Sequence, residues 1–295
     1  MSYHFTIKNN KSISGVQLLG SEFLPPLVKI NPDHNLNEAL SGFSKYYIPG
    51  KSSRGVALTV SAEEYDLGIN VGASKDDYFL ATRMALALAE MNGSLVSPED
   101  DEDLPIKDAA LAYNEEWAMA HQYQGISTVR HIVGKDKSIV SLNGCIRNYH
   151  FGPYTLNLLE TDSPTDEVFG DRLIEEIRKL QFIENHEAGL EIPTKMEGDF
   201  PEGVKTLIVV LPGVKLLLIK ADFVVLRHGN DVVKIPYADL IEHQSDKLIR
   251  LDEEQYILLP IGITDYTEMF NMFTLTHGVK PGNNNTSKKW WQFWK

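Results

Sequence analysis

The sequence carries a single cysteine, Cys145, so it cannot close an internal disulfide, and the residues after Met1 alternate like a strand instead of forming a charged-then-apolar leader. Both features predict a reducing, cytoplasmic setting. A long uncharged apolar run is also missing. The most apolar stretch, 206–226, is broken by Pro212, Gly213, Lys215, Lys220 and Asp222, which excludes an unbroken helical span of a bilayer. Cationic charge is scarce: 28 Lys and Arg stand against 41 Asp and Glu, and a net charge of −13 repels phosphate backbones, so no nucleic-acid partner is expected. The nine histidines never fall within four residues of one another, so there is no local zinc pair, and neither a metal nor a cofactor is expected.

What is present reads as an α+β fold, mainly antiparallel sheets with helices packed on one face and a β-rich C-terminal third. Residues 54–60 and 65–71 are apolar and β-branched, and the Ala62-Glu63-Glu64 connection is short enough for a hairpin. Ser74 and Asp77 have capping-box spacing, apolar residues then recur at helical intervals, and Gly93 supplies a stop, which predicts a helix over 75–91. Its alanines predict close packing on a sheet. A return strand is expected at 94–96, a helix at 107–121, strands at 126–132, 138–142 and 154–159, and an amphipathic helix at 166–182. Glu99-Asp100-Asp101-Glu102-Asp103, five adjacent like charges, predicts a solvated loop. Short runs at 205–211, 215–220, 223–226 and 232–235, separated by turn residues, predict a β-meander, with short helices at 237–243 and 267–275. The Gly, Pro and acid-rich segment 185–202 is the expected boundary. The resulting division is an N-terminal α+β domain, 1–185, a meander-rich domain, 186–280, and a tethered tail, 281–295.

No motif names a reaction. Gly50-Lys51-Ser52 could end a phosphate-binding loop, but Lys45 stands where that loop requires glycine and a strand follows, so a plain turn is expected. Cys145 has His150 five residues on, yet in an extended segment the two point to opposite faces, and a buried apolar thiol is the simpler expectation. Arg54 could present a forked anion-binding head, against a turn in which Gly55 relieves a tight approach; the turn is favoured. The pairs Glu63-Glu64, Glu115-Glu116 and Glu175-Glu176 would need facing cleft walls to act as acid and base, and are expected to face water.

The chain ends in Lys288-Lys289-Trp290-Trp291-Gln292-Phe293-Trp294-Lys295 behind a polar Asn283-Asn284-Asn285-Thr286-Ser287 tether. Apolar groups of this size are normally covered, so Trp290, Trp291, Phe293 and Trp294, with Lys288 and Lys289, are the candidate interaction residues. Burying four such side chains contributes roughly 6–12 kcal/mol. Ordering six backbone units costs roughly as much. Docking should therefore be weak and reversible, on a protein partner, on the chain's own body, or transiently on a membrane.

Ser53-Arg54-Gly55, the two strands, Ser74-Lys75-Asp76-Asp77-Tyr78 heading an alanine-rich helix, and Pro212-Gly213-Val214-Lys215 together resemble a family of uncharacterised bacterial cytoplasmic proteins of similar length, filed as domains of unknown function. The resemblance extends to about Val279 and implies a bacterial source and an α+β fold. It implies no functional residue. The acidic α+β texture is also similar to that of immunity proteins that neutralise a toxin by covering it. The expected function is a non-enzymatic cytoplasmic interaction protein, inhibitory, immunity-like or scaffolding; the alternatives are a peripheral membrane protein using the tail and an enzyme whose site is assembled from distant residues.

Overall fold

A computed structural model describes residues 2–32, 35–200, 203–278 and 280–281, which form two compact units, Met1–His186 and Glu187–Lys295. The first unit runs β1 (Ser2–Lys8), α1 (Gly15–Leu19), β2 (Lys29–Asn31), β3 (Gly42–Tyr47), β4 (Val56–Val60), β5 (Glu64–Asn70) and α2 (Lys75–Asn92). It continues through β6 (Ser97–Pro98), α3 (Ile106–Ala112), α4 (Glu115–His121), α5 (Ile126–Asp136), β7 (Val140–Asn143), β8 (Asn148–Phe151), α6 (Pro153–Leu159) and α7 (Asp166–Gln181). Its main sheet, of order β2-β3-β4-β5-β1-β6, is antiparallel throughout. The fold is α+β, with α2 against β1, β4 and β5 and with α3 and α4 against α2.

Helix α2 forms as its termini dictate. Ser74 Oγ accepts from Asp77 N at 3.3 Å, the Asp77 carboxylate accepts from Ser74 N at 3.0 Å, and Gly93 closes the helix at φ +62°. Residues from Tyr78 to Ala89 are buried on nearly every side, because the sheet takes one face and α3 and α4 take another. The expected 107–121 helix is two helices. Asn114 breaks it, its side chain capping a new start by accepting from Trp117 N at 3.0 Å.

Two expected strands are helices. In α5, Ile126, Val129 and Val133 are buried at spacings of three and four, and left-handed Gly125 precedes them. In α6, Pro153 occupies the first turn and Thr155 Oγ1 accepts from Gly152 N at 2.9 Å. The return strand falls at Ser97–Pro98, paired with Thr6 and Phe5. The acidic run behind it is more than solvated charge: Glu99 accepts from His4 N at 3.0 Å, and Asp100 accepts from the hydroxyls of Tyr3 and Tyr113. Tyr3 and Tyr113 belong to an aromatic cluster with Phe5, Tyr78, Trp117 and His121.

The second unit runs β9 (Leu190–Glu191), β10 (Met196–Phe200), β11 (Gly203–Val210), β12 (Lys215–Ile219), β13 (Phe223–His228), β14 (Asp231–Pro236), α8 (Tyr237–His243), β15 (Leu248–Arg250), β16 (Gln255–Leu258), α9 (Ile263–His277) and β17 (Lys280–Pro281). The expected apolar runs are strands, but they do not pair in chain order as a meander would. One sheet has the order β10-β11-β13-β14-β17 and the other β15-β16-β12-β9, with β11 and β13 parallel while β12 leaves to pair with β16. Ile208, Val210, Val224, Leu226, Val233 and Ile235 bury one face of the five-stranded sheet against Leu240, Tyr266, Met269, Phe270 and Phe273 of α8 and α9. Tyr266 fastens the parallel pair, its hydroxyl donating to Val210 O and accepting from Arg227 N, both at 2.9 Å.

Candidate functional site

The densest polar junction in the first unit lies where the 50–55 turn, the start of α2, the β7–β8 turn and the end of α7 meet. Asp77 is fully buried, and its Oδ2 accepts from the amides of Ser53, Arg54 and Ser74 at 3.0 Å and from the hydroxyls of Ser53 and Ser74 at 3.1 Å. Its Oδ1 has no hydrogen-bond partner among the described residues. Arg54 is also buried; Nε donates to Asn143 O at 2.9 Å and Nη1 donates to Val71 O. Burial lowers the Arg54 guanidinium to about 10, with the Asp77 charge opposing that shift. Lys45 Nζ donates to Asn143 O and Gly144 O at 2.9 Å, and burial, followed by the Arg54 charge, lowers it to about 8.

This junction holds loops in place, and its cations are spent on backbone carbonyls. Arg54 turns no head outward. Gly55 accounts for the local path: at φ +67° a Cβ would stand 2.7 Å from Tyr46 O, so the tight-approach reading of this turn is the observed one. Gln181, fully buried, clamps the β7–β8 turn by accepting from Ile146 N and Arg147 N at 2.8 Å and donating to Arg147 O at 3.0 Å. Cys145 sits in that turn fully buried, its Sγ 3.8 Å from Gln181 Oε1, and burial, then the Asp77 charge, push the thiol well up. Burial of this kind disfavours the thiolate on which nucleophilic reactivity depends. Gly50-Lys51-Ser52 is a turn in which Ser52 Oγ accepts from Ile48 N at 2.8 Å.

Two clefts indent the described surface of the first unit. One, of about 120 Å³, is lined by Gly50, Arg178, Lys179, Phe182, Asn185 and His186; the other, of about 320 Å³, by Lys11, Ser12, Ile13, Gln17 and Met91. Neither brings a nucleophile to a base. Arg178 and Lys179 are paired with Glu175 and Glu176, which assigns that acidic pair to helix-surface charge. Among the described residues no three His, Cys, Asp or Glu side chains stand together to hold a metal ion, and no helix is long and apolar enough to cross a membrane.

One arrangement escaped the sequence reading. On the outer face of the first unit's sheet, His4 Nδ1 is 2.8 Å from Asp66 Oδ1 and His4 Nε2 is 2.9 Å from Ser2 Oγ, the order of contacts in a hydrolytic serine relay. The strand period places Ser2 and His4 on one face, and β1–β5 pairing brings Asp66 beside them. Gly68 lies beneath the imidazole, where a Cβ would be 3.2 Å from Cε1. The only sequence signal was the Ser-x-His alternation, since Asp66 is 62 positions away.

The aromatic tail residues named from sequence, Trp290, Trp291, Phe293 and Trp294 with Lys288 and Lys289, lie outside the described residues. In the second unit, the other face of the five-stranded sheet is lined by Met196, Leu207, Val209, Phe223, Val225 and Val232, all half-buried. No curated protein and no solved structure matches the chain. The match to a family falls on the first unit and three residues beyond it, leaving Pro212-Gly213-Val214-Lys215 outside. Over residues 2–189 the sequence fits the model described as a domain of unknown function (DUF4299), and the chain belongs to that family.

Proposed function

We propose that this protein works in the cytoplasm by binding a protein partner, as an inhibitor or scaffold, and not by catalysing a reaction. The observation that carries this reading is the aromatic terminus: four large rings in five residues, behind a polar tether, on a chain of net charge −13. The charge favours a partner with a basic surface, which it would steer at long range. The small clefts, the buried Arg54 and Cys145 and the half-buried Lys45, all committed to structural contacts, support the same reading. Affinity capture with the full chain and with a chain lacking residues 288–295 tests it. A stoichiometric partner lost on truncation supports the proposal; identical capture by both removes the tail from it. Flotation with anionic vesicles is the companion measurement, and tail-dependent flotation without any protein partner would favour the membrane alternative.

One observation favours the enzyme alternative, the Ser2–His4–Asp66 chain. Against it, the relay lies on an open sheet face, where water competes for each hydrogen bond and no wall positions a substrate. A fluorophosphonate probe decides: covalent labelling of Ser2 that disappears in His4→Ala would establish an activated serine, whereas an unlabelled protein rejects the reading.

A further inference from the structure

The half-buried face of the second unit's five-stranded sheet lies within chain reach of the aromatic cluster at 290–294. The described chain leaves this sheet at β17, whose Lys280 pairs with Val232, and the aromatic cluster begins at Trp290. Residues 282–289 span up to about 26 Å when extended. Crossing from β17 over β14 and β13 to β11 takes three strand spacings, about 14 Å. The rings therefore reach every strand from β17 to β11 without stretching the tether.

The chemistry of the face suits them. Leu207 and Val209 of β11 are in register with Phe223 and Val225 of β13, giving an apolar patch that β14 borders with Lys234, opposite Val225, and Val232, opposite Arg227. Period-two alternation puts Lys205, Arg227 and Lys234 on the same side, and Lys234 Nζ already stands 4.7 Å above the Phe223 ring. Indole is the ring best suited to a neighbouring cation, and aromatic–β-branched contacts are favourable on a sheet face. The opposite face is filled by α8 and α9, so this is the sheet's remaining apolar side.

We propose that residues 290–294 dock, within one molecule, across the Leu207, Val209, Val225 and Val232 face. The proposal goes beyond the partner-binding reading and does not depend on it, because it concerns the free protein. Docked, the rings are covered and the tail is held in reserve; a competitor for either surface would release it.

Acrylamide quenching of tryptophan fluorescence tests this, comparing the full chain with a synthetic 282–295 peptide after subtracting the Trp117 signal of a chain truncated at residue 281. The tail indoles should be about threefold less accessible than in the peptide, corresponding to roughly two-thirds of molecules docked. Their protection should not change with protein concentration. The truncated chain should bind more anilinonaphthalene sulfonate than the full chain, and Val225→Glu, checked for folding by circular dichroism, should raise quenching to the peptide level. Peptide-like quenching in the full chain, or dye binding unchanged by truncation, overturns the proposal. So does protection that grows with concentration, which assigns the tail to a second copy, or that appears only with anionic vesicles.

Discussion

Replacing Asp77 with alanine removes, in one step, the acceptor shared by the amides of Ser53, Arg54 and Ser74 and leaves the Arg54 charge buried without its nearby anion. Each buried donor left unpaired costs about 1–3 kcal/mol, which for three amides sums to roughly 3–9. Relaxation of the 50–55 turn recovers part of this, so the expected loss is about 4 kcal/mol, in the range of about 3–5 for breaking a buried charge pair. Asp77→Asn keeps one carbonyl oxygen and the helix cap but not the charge, and should lose about 2 kcal/mol. Ser74→Ala, which removes the cap and the hydroxyl's contacts to Asp77 and Lys51 O but keeps the Asp77 carboxylate on the three amides, should lose about 1 kcal/mol. Urea unfolding followed by circular dichroism gives all three from the midpoint shift at constant slope. The order Asp77→Ala, then Asp77→Asn, then Ser74→Ala is the signature of a carboxylate that anchors a loop as well as capping a helix. If Asp77→Ala falls no further than Ser74→Ala, Asp77 is only a cap and the reasoning fails.

Lys45 supplies a pH prediction. Its folded pKa, lowered to about 8 from 10.5, means that between these values the unfolded chain binds the extra proton, so stability rises with pH across that window; as pH falls the loss is complete near 8, below which both states carry the proton. In Lys45→Met the increment between pH 8 and pH 10 should shrink; an unchanged pH profile contradicts the burial argument. Cys145 should resist an aromatic disulfide reagent in the native protein and react fully in denaturant, and rapid native labelling would show that the thiol is not sealed as described. Gly55→Ala should destabilise the first unit by about 2 kcal/mol, since it adds a strained left-handed alanine and a contact with Tyr46 O; a neutral effect in urea unfolding would contradict that geometry.

Helix α2 was legible because everything that defines it is local: Ser74, Asp77, the apolar period and Gly93 lie within one window. The second role of Asp77 was not, since its carboxylate reaches back 24 positions to Ser53. Segments 126–132 and 154–159 were misread through their β-branched and apolar content, where a buried period of three and four decided the outcome and the tertiary setting overrode propensity. The strands of the second unit were legible individually, but their pairing was not, because alternation says which side chains share a face and says nothing of which strand lies next. The Ser2–His4–Asp66 contact is the same kind of fact, fixed by register between β1 and β5.

The central claim is that the protein acts through a surface it presents to another protein. Quantitative affinity capture under native conditions, with the full chain, the chain lacking 288–295 and Ser2→Ala in parallel, tests this most directly. The account predicts one stoichiometric partner, held by the full chain and by Ser2→Ala and lost from the truncated chain. Serine-dependent hydrolysis abolished by Ser2→Ala, with no partner retained by any of the three, would contradict it.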